Sequence, residues 1–190
     1  MSSDTHTFCA IIRNRSAENR QAMRCFPNLH SVLSPAFSIL RQELDSMIRV
    51  IYLLQIADLA ERQRLIQSIL RGERWKVSNQ KGKLREVTDR EMVDISQQLQ
   101  GWTESVYKFG CAFVHLSDFH NHLIEDPFQR LAPSERQNIL VHMRSYHGGP
   151  TRDNPDMKEI AEYLPRVFDK IADSLGCYLR EIEEYSIAKQ

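Results

Sequence analysis

The sequence has no surplus of charge, few cysteines and no long apolar run, and each absence excludes a class of protein. Its 190 residues hold 25 Lys and Arg against 25 Asp and Glu, so any binding to nucleic acid or membrane needs a local patch. The four cysteines form no C-x-x-C pair and match no zinc or redox spacing. The most apolar segment, MIRVIYLLQIADLA, is interrupted by Arg49 and Asp58 and is too short to span a bilayer.

Targeting signals and common catalytic signatures are missing as well. The first residues lack the charged-then-apolar layout of a signal peptide, and scattered thiols suit a reducing compartment. We therefore expect a cytoplasmic protein with no membrane partner. The chain has no Gly-rich phosphate loop, no G-x-S-x-G and no H-E-x-x-H, and no cofactor is predicted.

The spacing of apolar residues predicts an all-α protein. Residues 1–33 are polar and weakly patterned, and we interpret them as a short N-terminal arm with a strand at HTFCAII and a short helix at SAENRQAMR. Residues 34–190 are predicted to form a single helical-bundle domain of about four main amphipathic helices. One basic loop or hairpin, over residues 72–87, interrupts them.

Start and stop signals place these helices. The first begins at Ser34-Pro35, breaks near Asp58 and ends at Gly72, with an apolar seam in steps of three and four residues. The second begins at a Thr88–Glu91 capping box, bends near Gly101 and runs toward Leu123. The third begins near Ser134, paired with Gln137, and ends at residues 147–150; the fourth begins at Asn154-Pro155 and is kinked or divided by Pro165.

A histidine-rich stretch, FVHLSDFHNH, lies on the second helix. His115, Asp118 and His122 share one helical face, and imidazole and carboxylate groups suit zinc, iron or nickel. These three residues point away from the apolar seam, which contains His120, so a solvated face with one buried histidine is the first interpretation. A metal site is the second.

Basic residues and histidines gather in RLAPSERQNILVHMRSYHGGPTR, residues 130–152. Cations near a helix C-terminus complement the helix dipole, which is one explanation of the cluster. Arginine beside histidine also binds phosphate and moves a proton, which makes the cluster a candidate site. The candidate residues are Arg136, His142, Arg144 and His147.

The helical pattern, the Glu43 and Arg49 spacing, and FVHLSDFH together resemble the HEPN superfamily of helical bundles. This resemblance covers residues 34–187 and implies a setting in prokaryotic defence or toxin–antitoxin systems. Active HEPN members are metal-independent ribonucleases with an R-x4–6-H motif, often acting as dimers, and Arg136 and His142 in RQNILVH match that motif. The resemblance thus implies that Arg136 binds the scissile phosphate while His142 acts as general acid or base. Other members are non-catalytic binding modules.

A second basic segment runs from Arg71 to Arg90 and carries Arg74 and Trp75 as candidate RNA-binding residues. The indole is a surface on which a base can stack, although a solvated loop with a buried Trp75 fits the same pattern. Three functions stay open: an RNA-associated HEPN-like protein, a non-catalytic module that forms a homodimer or binds a partner protein, and a metal-binding bundle. Catalysis, if present, is expected to need a dimer, because six residues turn a helix by about 240°.

Overall fold

The computed structural model describes residues 3–26, 28–78, 82–115, 117–121 and 124–187. It confirms a mostly helical protein. The helices are α1 (Ser3–Arg24), α2 (Leu33–Gln55), α3 (Leu59–Leu70), α4 (Asp89–Gln100), α5 (Thr103–Val114), α6 (Pro133–His147), α7 (Met157–Ala161) and α8 (Leu164–Ile187). An antiparallel hairpin joins β1 (Lys76–Ser78) to β2 (Leu84–Glu86), and 3-10 turns lie at Leu29–Ser31 and Asp118–Asn121. Among the described residues, no helix is long and apolar enough to cross a membrane.

The chain divides into two compact units, each built from separate stretches of sequence. Unit 1 contains residues 1–17, 45–101 and 172–190, and unit 2 contains residues 18–44 and 102–171. Unit 1 therefore holds α3, the hairpin and α4, and unit 2 holds α5, α6 and α7. The helices α1, α2 and α8 contribute one part to each unit.

Unit 1 is organised around apolar side chains of its helices and the single tryptophan of its hairpin segment. Trp75 is 3% exposed, stacks on Tyr52 with ring centroids 5.6 Å apart, and donates from its indole nitrogen to the carbonyl of Leu65 at 2.8 Å. The hairpin is thereby fixed to α2 and α3. The other fully or nearly buried side chains include Met47, Ile51, Leu65, Met92, Leu175, Leu179 and Ile182.

Unit 2 has an aromatic core. Phe37 of α2 stacks on Phe113 of α5 with centroids 4.4 Å apart, and Phe109 and Phe128 extend the cluster. Burying rings of this size supplies much of the hydrophobic stabilisation of a domain. The side chains of Leu140, Met143, Ile160, Leu164 and Phe168 close the core from α6, α7 and α8.

Several predicted helix boundaries are confirmed by their caps. Asp58 caps α3 and Thr88 caps α4, each accepting a hydrogen bond from a backbone N–H of the first turn. Gly101 and Gly148 end α4 and α6 in the left-handed conformation, at φ 74° and 75°, which glycine adopts without steric cost. A break of two residues before α8, next to Pro165, divides the predicted fourth helix.

Three local predictions are wrong. Residues 3–24 form one helix and not a strand followed by a short helix. The start of α6 is not a Ser134–Gln137 capping box, because its cap residue is Ala132 and makes no side-chain bond. The second predicted helix does not reach Leu123, since α4 ends at Gln100 and α5 ends at Val114.

Candidate functional site

The motif pair Arg136 and His142 lies on α6, and the structure does not bring the two side chains together. Arg136 is half-buried and donates from Nη1 to the carbonyl of Gln129 at 2.6 Å. The His142 ring instead stacks on Tyr146, with centroids 6.1 Å apart and planes 15° from parallel. Because α6 is continuous from Pro133 to His147, the two residues keep the 240° separation expected of six helical residues.

The His142 and Tyr146 rings face basic residues of α8. The Lys170 ammonium lies 5.8 Å from the centre of the Tyr146 ring, within the range of a cation–π interaction. One turn earlier, Arg166 donates from Nη1 to the carbonyl of His147 at 2.9 Å. The Tyr146 side of this arrangement is open, because that residue is 56% exposed. We call these five residues, His142, Tyr146, His147, Arg166 and Lys170, the α6–α8 face.

The pKa of His147 is lowered in part by the positive charges of this face. Burial lowers the pKa of its imidazole, and the nearby Lys170 and Arg166 lower it further because they repel the protonated ring. The folded protein therefore favours neutral His147, which has one donor and one acceptor nitrogen.

A small apolar cleft of about 60 Å³ opens beneath the α6–α8 face. Its walls are formed by Trp102, which precedes α5, Val106 of α5, Met143 of α6 and Val167 of α8. His142, Tyr146, His147 and Lys170 also line it. Its volume holds only a few water molecules or one inserted group. The chemistry of the site therefore resides in the exposed ring and cations around its mouth.

Arg144, a predicted binding residue, organises the loop that follows α6. It donates to the backbone carbonyls of Pro150 at 2.9 Å and Arg152 at 2.6 Å, and lies 3.3 Å from the carboxylate of Asp153. These bonds occupy both the Nε and Nη2 donors of its guanidinium. Arg144 therefore holds residues 150–153 against the end of α6.

The second predicted basic site, on the hairpin, is largely neutralised. Arg74 is 82% exposed at its side chain and pairs with Glu86 at 3.0 Å, while Arg85 pairs with Glu91 at 2.7 Å. Trp75 is 3% exposed and stacks on Tyr52, which agrees with the interpretation of a solvated loop that carries a buried Trp75.

The histidine-rich stretch does not form the helical face that suggested a metal site. His115 is exposed at the end of α5, and Asp118 begins a 3-10 turn, so the two do not share a helix. His122 lies outside the described residues. His120 is half-buried, with its Nδ1 3.2 Å from the Ser117 carbonyl and its ring edge-on to Phe113. Within the described part of the chain, no group of three His, Cys, Asp or Glu residues is placed to hold a metal ion.

Comparison of the chain with protein-family models, with curated proteins and with solved structures finds no match. Its function therefore has to be inferred from the geometry of its own residues. Sequence reasoning identified His142 and His147 but missed Tyr146, Arg166 and Lys170. One local signal existed, since Tyr146 follows His142 by four residues and so lies on the same helical face.

Proposed function

We propose that this chain is a HEPN-like helical-bundle protein that binds single-stranded RNA through the α6–α8 face and does not cleave RNA as a monomer. The observation that carries the proposal is the open Tyr146 ring, stacked on His142 and flanked by the Lys170 ammonium. Exposed aromatic rings beside cations are what proteins use to stack unpaired bases and neutralise the adjoining phosphates.

Local charge supports this proposal even though the chain has no net charge. Among the described residues, neither Arg166 nor Lys170 pairs with a carboxylate. Two nearby carboxylates are directed elsewhere: Glu162 lies 3.9 Å from His30 Nε2, and Asp169 lies 3.4 Å from Arg20. Two positive charges are therefore available to phosphate oxygens at this face.

The geometry favours a single strand over a duplex. Tyr146 can stack only on a base whose face is exposed, and bases within a duplex have their faces covered by neighbouring base pairs. The face is also small, with one open ring and two cations that have no carboxylate partner among the described residues. It matches one or two nucleotides, for which sequence preference is weak because every base has an aromatic face.

The absence of monomeric cleavage follows from Arg136. Its guanidinium is bonded to the Gln129 carbonyl and lies around α6 from His142, so one chain does not present both groups to the same phosphate. Cleavage by this pair requires a second copy to bring Arg136 of one chain to His142 of the other.

The proposal is tested by fluorescence anisotropy with a labelled single-stranded RNA and its duplex. Tyr146→Ala is expected to weaken binding about 5- to 150-fold, the equivalent of losing ~1–3 kcal/mol of stacking, and Tyr146→Phe to bind like the wild type. Val141→Ala is the matched control, because Val141 is 48% exposed on the same helix but does not line the cleft. Equal affinity for strand and duplex, or unchanged binding by Tyr146→Ala, contradicts the proposal.

A further inference from the structure

A second and much larger cleft lies in unit 1, and it is separate from the residues of the α6–α8 face. Its volume is about 770 Å³, within the ~300–1,000 Å³ typical of sites for small organic ligands. α1, α2, the end of α3, the segment leading into the hairpin and the start of α4 supply its walls. Its lining includes apolar side chains, among them Ile11 and Leu70, and charged side chains.

Arg49 is one of these charged side chains, and its guanidinium is held in place. Its Nε donates to Asp45 at 3.1 Å, and its Nη2 donates to Asp89 at 3.1 Å. The carbon at the centre of the guanidinium lies 5.7 Å from the Trp75 ring, and the side chain is 28% exposed. Two of its nitrogens are thus bonded, and the side chain still lines the cleft. A flat, immobilised guanidinium of this kind is a surface on which planar aromatic rings stack.

The charges of the cleft exclude a polyphosphate. Three arginines line it, and each already has a carboxylate within 4 Å: Arg15 and Arg49 have Asp45, and Arg74 has Glu86. The cleft also contains the first turn of α4, where Asp89 occupies the helix N-terminus that would otherwise attract an anion. Pairing with a carboxylate weakens the attraction of each arginine for a phosphate group, and the carboxylates themselves repel one.

We propose that the unit 1 cleft binds a free, uncharged ribonucleoside, with adenosine as the preferred member. The base stacks on the guanidinium of Arg49 and contacts the apolar side chains of Ile11 and Leu70, which line the same cleft. Ionised carboxylates only accept hydrogen bonds, so Asp89 and Glu86 suit the amino group of adenine and the hydroxyl groups of ribose. Uridine has no amino group on its base and is expected to bind less tightly.

Isothermal titration calorimetry of the full chain with adenosine, uridine and ATP tests the proposal. Adenosine is expected to bind at least tenfold more tightly than ATP, because the triphosphate meets the carboxylates, and several-fold more tightly than uridine. A short single-stranded RNA of adenosines, added as a competitor, distinguishes a free nucleoside from a base within a strand and is expected not to displace adenosine. Tighter binding of ATP, displacement by the RNA, or no binding of adenosine at millimolar concentration overturns the proposal.

Two variants locate the ligand. Arg49→Lys keeps the positive charge but removes the flat surface, and is expected to weaken adenosine binding about tenfold. Arg85→Lys is the matched control, since Arg85 pairs with Glu91 in the same unit but does not line the cleft. If Arg49→Lys does not fold, Ile11→Asp serves instead, because Ile11 is 53% exposed and its replacement leaves the core intact. Wild-type affinity in Arg49→Lys, or in a folded Ile11→Asp, refutes the assignment.

Discussion

The salt dependence of RNA binding gives the sharpest prediction for the α6–α8 face. Neutralising phosphates releases condensed counterions, so for single strands log K falls with log salt concentration with a slope of about −0.7 for each phosphate neutralised. Lys170 and Arg166 are the two cations of this face with no carboxylate partner in the described part of the chain. Two contacts predict a slope of about −1.4. Raising salt from about 50 mM to about 200 mM should then weaken binding roughly 7-fold.

Removing one of the two charges should halve this slope. Lys170→Ala is expected to give about −0.7, so that the same salt increase weakens binding only about 2.6-fold. Lys158→Ala is the control, because Lys158 is an exposed lysine of α7 in the same unit, and it should leave the slope at about −1.4. The titrations should be performed at about pH 8, where His147 is neutral because its pKa is lowered.

Three results would refute the reasoning about this face. A wild-type slope near zero would mean that no phosphate is neutralised. A slope steeper than about −3 would require more than about four contacts, which these two cations do not supply. An unchanged slope in Lys170→Ala, with a changed one in Lys158→Ala, would place the RNA on another surface.

Three further predictions follow from single contacts. At concentrations where the chain is monomeric, wild type, Arg136→Ala and His142→Ala should all fail to cleave a mixed RNA pool; monomer cleavage abolished by either substitution would contradict the geometry of α6. Because the folded state lowers the pKa of His147, the unfolded state binds more protons, and the free energy of unfolding should fall as pH drops below about 6.5. Denaturant titrations from about pH 8 to about pH 5.5 should show a smaller fall in His147→Gln. Gly110→Ala should lower the free energy of unfolding, because the new Cβ would lie 2.8 Å from Arg41 Cβ. Overpacking costs ~1–3 kcal/mol, which exceeds the ~1 kcal/mol that alanine gains over glycine in a helix. A variant that is more stable in thermal denaturation would contradict this prediction.

The sequence predicted helices well where apolar spacing and caps agreed. Five of the six residues of the predicted α2 seam are buried, because its period of three and four residues matches the helix; they are Phe37, Leu40, Leu44, Met47 and Ile51, and the sixth, Leu54, is half-buried. The first part of α1, predicted as a strand at HTFCAII, was missed for a physical reason. Its buried positions include Thr5, whose hydroxyl donates to Gln63 Oε1 at 3.1 Å. A polar residue whose partner lies far along the chain interrupts the apolar period without interrupting the helix.

At the end of α5, the apolar pattern predicted a longer helix than the structure has. The apolar period continues through residues 109–123, but the backbone leaves the helix after Val114. The Ser117 hydroxyl donates to the Ala112 carbonyl at 2.6 Å and accepts from the Phe119 N–H at 3.2 Å. Such side-chain bonds give the backbone an alternative to helical pairing. The metal hypothesis required His115 and Asp118 to lie on one continuous helix, and the two residues do not share a helix.

The candidate RNA site was only half predictable, because it joins helices distant in sequence. The R-x4–6-H motif points to Arg136 and His142 on spacing alone, whereas His142 stacks on Tyr146, whose ring lies near Lys170 of α8. Spacing along α6 reaches Tyr146, but nothing local indicates that Lys170 faces it. The packing of α6 against α8 is a tertiary interaction, and it depends on the apolar residues that both helices bury.

The zero net charge of the chain conceals two regions with unlike electrostatics. In the unit 1 cleft, Arg15, Arg49 and Arg74 each lie beside a carboxylate, so the charges cancel within a few ångströms. On the α6–α8 face, Arg166 and Lys170 have no carboxylate partner among the described residues, and their field lowers the pKa of His147. A ligand responds to the potential where it binds, because salt screens charges beyond about 10 Å. The cleft therefore suits an uncharged ligand and the face suits a phosphate, although the chain total is the same for both.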